Sequence, residues 1–160
     1  MPFFSTKTYT HAEGLSCCFR QWRATQSHCR FLHGYALQVE IKFAAETLDA
    51  RRWVVDFGGM KPVKAFLQDT LDHKTLVAAD DPELAQFRQM SDAGLIDLRV
   101  VPDVGCESFA LLIHEFVTSW LETYEPGHRV SVASVEVREH GGNAALYSAN
   151  STLFRQKDSA

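Results

Sequence analysis

A chain of 160 residues, 46% of them hydrophobic, is long enough for one domain whose core needs no covalent staples. Its net charge of −4 argues against nucleic acid as a partner, because such binders carry a basic stripe. No apolar run approaches the ~20 residues of a membrane span, so no membrane partner is expected.

The start, Met1-Pro2-Phe3-Phe4-Ser5-Thr6, lacks a basic segment leading into an apolar one, so no secretory signal is expected. The cysteines are Cys17, Cys18, Cys29 and Cys106. An adjacent pair would point to opposite faces of a strand, which suits reduced thiols and a cytoplasmic setting better than a disulfide framework.

In chain order, Lys7 to Phe19 reads as a first strand, with a bulge at Gly14. Leu37, Val39, Ile41 and Phe43 alternate with polar residues, the period of a half-buried antiparallel strand. Trp53 to Phe57 ends at Gly58-Gly59, and Pro62 suits the first turn of a helix running to about Leu71. Pro82, Leu84, Phe87 and Met90 predict a short helix, and Leu95 to Val101 an extended piece. Phe109, Leu112, Ile113, Phe116, Val117, Trp120 and Leu121 form the wide apolar stripe of a second major helix, closed by Pro126-Gly127. Ala133, Val135 and Val137 then alternate, Gly141-Gly142-Asn143 turns the chain, and Ala144 to Ser148 returns. The order ββααββ predicts an α+β fold, with two helices on one face of an antiparallel four-stranded sheet. Residues 1–160 read as a single domain, with 76–104 an insertion between the helices and 150–160 a polar tail.

The chemistry concentrates in a few places. Cys29 stands near Arg20, Arg23 and Arg30, a setting that can lower a thiol pKa and arm it as base or nucleophile. The same arginines read either as a solvated loop or as a grip for an anionic substrate. His28, Cys29 and His33 form a weak metal signal, since zinc wants about four ligands. Asp72-His73 joins a carboxylate to an imidazole, which can set the tautomer of the ring; its plainer reading is a helix C-terminus. Glu139 shares strand parity with Ala133, Val135 and Val137, so its carboxylate falls on an inward face. There it needs a base such as Arg138, an opening to solvent, or a ligand edge with adjacent N–H donors. Cys17, Cys18 and Cys106 read as small buried hydrophobes.

Several segments together resemble one family, the 6-pyruvoyltetrahydropterin and 6-carboxytetrahydropterin synthases. Cys29 to Tyr35 is similar to its Cys-x-x-x-His-Gly-His run, Trp53 to Lys61 to its Trp-x-x-Asp-Phe segment, and Leu71-Asp72-His73 to its Leu-Asp-His. Cys106 to Ala110 resembles a Ser-Glu-Asn-x-Ala helix start, and Val135 to Glu139 the strand ending in a ring-binding glutamate. The resemblance implies a T-fold that builds an oligomeric barrel, usually a homohexamer with sites at subunit interfaces. It implies a lyase acting on 7,8-dihydroneopterin triphosphate, possible in 7-deazaguanine (queuosine) synthesis, with Cys29, Asp72 and His73 moving protons and Glu139 anchoring the pterin. The alternative is a non-catalytic or zinc-free T-fold protein that binds a pterin or purine. The family holds zinc with three histidines; here His33 matches one, while Phe19 and Tyr35 stand at the other places. Either His11 or His28 completes a ligand set with His33, or the site works without the usual metal.

Overall fold

The computed structural model describes residues 2–149. The strands are β1 (Phe3–Tyr9), β2 (Leu15–Phe19), β3 (His33–Ala45), β4 (Lys74–Ala78), β5 (Leu98–Val101), β6 (Val130–His140) and β7 (Asn143–Tyr147). The helices are α1 (Lys61–Leu71), α2 (Leu84–Asp92) and α3 (Cys106–Tyr124). The strands form one sheet in the order β5-β4-β2-β3-β6-β7, with β1 also paired to β3.

The α+β architecture agrees with the expected one, and the sheet is larger than the four strands expected. The first strand is two, because His11–Glu13 makes a 3-10 turn and Gly14 adopts a left-handed φ of 75°. Both halves still run antiparallel to β3, β1 along Val39 to Ala45 and β2 along His33 to Leu37. The stretch 76–104 contributes most of β4, then α2 and β5; β4 pairs parallel to both β2 and β5. The run from Thr75 to Ala78 is buried at every position, so it shows none of the alternation that marks a half-exposed strand. The polar tail expected at 150–160 lies outside the described residues.

Helices α1 and α3 cover one face of the sheet. Val63, Leu67 and Leu71 of α1 and Phe109, Ile113 and Val117 of α3 are buried against Leu37, Ile41, Phe43 and Val135. Between the helices, Phe66 and Phe116 stack at 3.8 Å. Fully burying each such side chain contributes about 1.5–3 kcal/mol, so the two apolar stripes hold the layers together.

Strand β6 slips register twice. Lys42 pairs with Ser134 while Phe43 pairs with Val132, leaving Ala133 as an extra residue. A second irregularity falls between Arg138 and His140 against β7, at Glu139. The simple parity that groups Ala133 with Val135 therefore fails, since Val130 and Val132 are buried on one side of the first bulge and Val135 and Val137 on the other. Bulges re-aim side chains, and the second one presents Glu139.

Candidate functional site

A cleft of about 540 Å³ opens between the loop after β2, the start of α3 and the β6–β7 hairpin. Cys29, His33, Cys106, Glu107 and Glu139 line it, with Gln21 and Asn143. Cys29 sits in a 3-10 turn at 28–30 whose backbone N–H donates to Ser27 Oγ at 3.2 Å. The loop that carries it is pinned from outside. Arg20 grips Asp81 with two hydrogen bonds, at 2.9 Å and 2.5 Å, and Arg23 pairs with Asp80 and Asp103. Gln21 Nε2 donates to the Val104 carbonyl at 3.1 Å. Two of the three arginines read as an anion grip are thus bound to carboxylates of the chain itself, and Arg30 lies over the Phe31 ring at 4.6 Å. The stretch between the helices supplies the anchors, so it positions Cys29.

Glu139 does not pair with Arg138, whose guanidinium donates to Glu136 at 2.6 Å and 3.1 Å. It accepts from the Cys106 thiol. Burial, reinforced by the Glu139 charge, pushes that thiol up to about 12, so Cys106 stays protonated and donates. The Tyr35 phenol also feels Glu139, Cys29 and Cys106; desolvation first, then those charges, raise its pKa. The role of Cys106 and the nearness of Tyr35 to Glu139 are not legible in the chain, because helix start, bulge and strand meet only in three dimensions.

His33 and Tyr35 alternate inward with Leu37 along β3, while Gly34 and Ala36 face the other way. On that other side a second cleft, of about 480 Å³, is lined by Cys18, Gly34, His73, Lys74, Thr75 and Asp97. Gly34 is needed there, because a Cβ would sit 2.7 Å from the Cys17 carbonyl oxygen. His73 Nδ1 donates to Asp72 Oδ1 at 2.6 Å, and its backbone N–H donates to the Ser16 carbonyl at 2.7 Å. The couple is real, and the imidazole projects outward, its side chain 88% exposed. His73 holds a left-handed φ of 56°, a strained conformation for a non-glycine residue. Within one chain, then, Cys29, His33 and Glu139 share a cleft, and Asp72-His73 borders another.

A family model described as 6-pyruvoyl tetrahydropterin synthase matches residues 8–150. The chain belongs to that family. A curated relative named 6-carboxy-5,6,7,8-tetrahydropterin synthase, from Rickettsia felis, is 39% identical over 62 residues. The match covers 38% of this chain and 45% of the relative, so it spans about half the relative's length. The Rickettsia conorii protein of the same name is 37% identical over the same length. Among solved structures, an uncharacterized protein from Wolinella succinogenes aligns with a TM-score of 0.77 at 21% identity, over 93% of this chain and 99% of that one. The 6-pyruvoyl tetrahydropterin synthase of Plasmodium vivax aligns with a TM-score of 0.63 at 16% identity, over 91% and 97%. These likenesses show the fold. Among the described residues no helix is long and apolar enough to cross a membrane.

Members of this family commonly bind zinc, and the residues here do not fit it. The three places matched to the family's histidines do converge: the Phe19 and His33 rings lie 5.1 Å apart, His33 and Tyr35 5.5 Å, and Phe19 and Tyr35 6.3 Å. What converges is an aromatic cluster. Phenylalanine has no donor atom, and zinc takes imidazole, thiolate or carboxylate in preference to a neutral phenol. Neither His11 nor His28 repairs the set. Among the described residues no three His, Cys, Asp or Glu side chains come together to hold a metal, and neither His11 nor His28 lines the cleft with His33.

Proposed function

We propose that the chain is a lyase of the tetrahydropterin synthase kind, acting on the side chain of 7,8-dihydroneopterin triphosphate. The observation that carries it is the pairing of Cys29 and Glu139 in one cleft large enough for a bicyclic ring. Among the described residues no cation pairs with Glu139, whose two oxygens suit the adjacent N–H donors of a pterin edge. Cys29, exposed at the rim, takes and returns protons on the side chain while triphosphate leaves. Asp72 holds the His73 imidazole in the tautomer with Nδ1 protonated, leaving Nε2 as a base. Because this couple borders the other cleft, it serves the Cys29 site of a neighbouring subunit, as an oligomeric barrel allows. Loss of triphosphate alone gives a 6-pyruvoyl-tetrahydropterin; if the bond between the first and second side-chain carbons also breaks and water adds, the ring keeps a 6-carboxy group and the other two carbons leave as acetaldehyde. The Rickettsia names favour the 6-carboxy compound and a role in 7-deazaguanine synthesis.

Incubation of the purified protein with 7,8-dihydroneopterin triphosphate, followed by mass detection of product and triphosphate, tests the reaction. Glu139→Gln should abolish pterin binding by calorimetry; unchanged affinity removes the anchor. Binding without turnover would favour the second reading, a pterin- or purine-binding protein, which the cluster of Phe19, His33 and Tyr35 also supports.

A further inference from the structure

Tyr35 stands at a place where the family has a zinc histidine, and its surroundings suit it to a different role. It stands two residues beyond His33 on the same face of β3, with its ring edge-on to that imidazole at 5.5 Å. On its other side lies His140, at 6.2 Å. The two histidines differ in what they can still do. His33 Nδ1 donates to the Phe31 carbonyl at 2.7 Å, so the neutral ring keeps a lone pair on Nε2. His140 accepts the Gly142 N–H on Nδ1 at 3.1 Å and has the Asn143 amide 3.2 Å from Nε2, so both its nitrogens are engaged inside the hairpin. The hydroxyl of Tyr35 makes no hydrogen bond to any of the described residues, and it is within electrostatic reach of Glu139, Cys29 and Cys106. A half-buried O–H donor and an imidazole acceptor thus pack ring to ring; His33 lines the cleft that holds Glu139, whose charge reaches the phenol, while Tyr35 also borders the second cleft.

We infer that the Tyr35 hydroxyl and His33 Nε2 together bind the oxygen-bearing side chain of the ligand, and that this pair works without a metal ion at the Phe19–His33–Tyr35 position. The donor and acceptor match a hydroxyl group of the ligand, which can accept from one and donate to the other. The ligand half of this inference rests on the pterin reading; the metal-free half stands on the side-chain chemistry of Phe19 and Tyr35 alone.

Two measurements test it. In the first, binding of 7,8-dihydroneopterin, which carries hydroxyls on its side chain, is compared by calorimetry with binding of unsubstituted pterin. Tyr35→Phe keeps the ring packing and should weaken dihydroneopterin about tenfold, the loss of one good hydrogen bond, while leaving pterin unchanged. Equal effects on both ligands, or on neither, overturn the donor role. Wild-type protein that binds neither ligand overturns the pterin reading and this role with it. In the second, purified protein is soaked in zinc, desalted and measured for metal. Wild-type protein should retain only traces, whereas the double variant Phe19→His, Tyr35→His, which completes three histidines with His33, should retain about one zinc per chain. Retention of about one zinc by wild-type protein, lost in His33→Ala, overturns the metal-free half.

Discussion

Two clefts of similar size lie on opposite sides of the β2–β3 pair, and they differ in what their side chains are free to do. The first is lined by Cys29, His33, Cys106 and Glu139, and among the described residues Glu139 is answered by a thiol and not by a cation. In the second, charges are largely matched: Lys74 pairs with Asp97, and Cys18 lies 3.3 Å from Thr75 Oγ1. His73 projects outward there, pre-oriented by Asp72 and held in a left-handed backbone. Neither cleft alone holds a full proton-transfer set. The first has Glu139, the proposed ring anchor, and the Cys29 thiol; the second has the His73 imidazole. On the proposed function, each site would draw one face from each of two copies, and that proposal can be broken directly.

The largest effect should come from Cys29→Ala and His73→Ala, each lowering turnover by roughly 10² to 10⁴ as expected for loss of a positioned acid or base. The decisive measurement mixes the two inactive variants under conditions of subunit exchange. If each site draws Cys29 from one copy and His73 from another, some sites in the mixture hold both intact and activity returns. A mixture as inactive as its parts would break the comparison, because it would place the thiol and the imidazole in the same copy's site.

A second prediction concerns the anchor of the Cys29 loop. The Asp81 side chain is fully buried and that of Arg20 is 21% exposed. Burial pushes the Asp81 carboxyl up, but the Arg20 hydrogen bond, the Glu83 backbone N–H and the Arg20 charge outweigh it, and the net shift is downward. A carboxyl depressed in the folded state contributes stability that is present above its unfolded pKa of about 3.9 and lost as pH falls through the lower folded value. Asp81→Asn should therefore cost about 2–3 kcal/mol at pH 7, somewhat less than breaking a fully buried pair, because Arg20 retains some solvent. Urea titrations at pH 7 and near pH 3 check the sign: the gap between wild type and variant should narrow at the lower pH. A gap that widens would mean Asp81 is not the group that holds the loop.

How much of this was readable in the chain follows from the same contrast. Local signals worked. The stripe from Phe109 to Leu121 placed α3, Pro62 marked the start of α1, and Gly141-Gly142 turned the last hairpin. The three positions matched by resemblance, Phe19, His33 and Tyr35, carry rings that meet in space. What failed was anything that depends on a neighbour far along the chain. Strand β4 is buried from Thr75 to Ala78 and shows no alternation, so 76–104 reads as an insertion in the sequence, and its role as the clamp on the Cys29 loop is hidden there. The bulge at Ala133 put that residue out of step with Val135 and Val137, and a second bulge falls at Glu139 itself, which lines the cleft. Arg20 and Arg23 looked available to an anion because their carboxylate partners stand some 60 to 80 positions away.

The smallest expected effect separates the thiols themselves. Cys29 is exposed and Cys18 half-buried, whereas Cys17 and Cys106 are buried, their thiols pushed up to about 12 chiefly by desolvation. The thiolate is the reactive form, so iodoacetamide at pH 8 should label Cys29 first and leave Cys17 and Cys106 unmodified until the chain unfolds. Glu139→Gln adds a finer test. Burial is the leading cause of the Cys106 shift and the Glu139 charge the next, so removing that charge should speed labelling of Cys106 by less than about tenfold, roughly one pKa unit. Mass analysis of the labelled peptides reads both rates. Cys106 reacting as fast as Cys29 in the wild-type protein would show that its thiol does not donate to Glu139, and the first cleft would then lose the feature that sets it apart from the second.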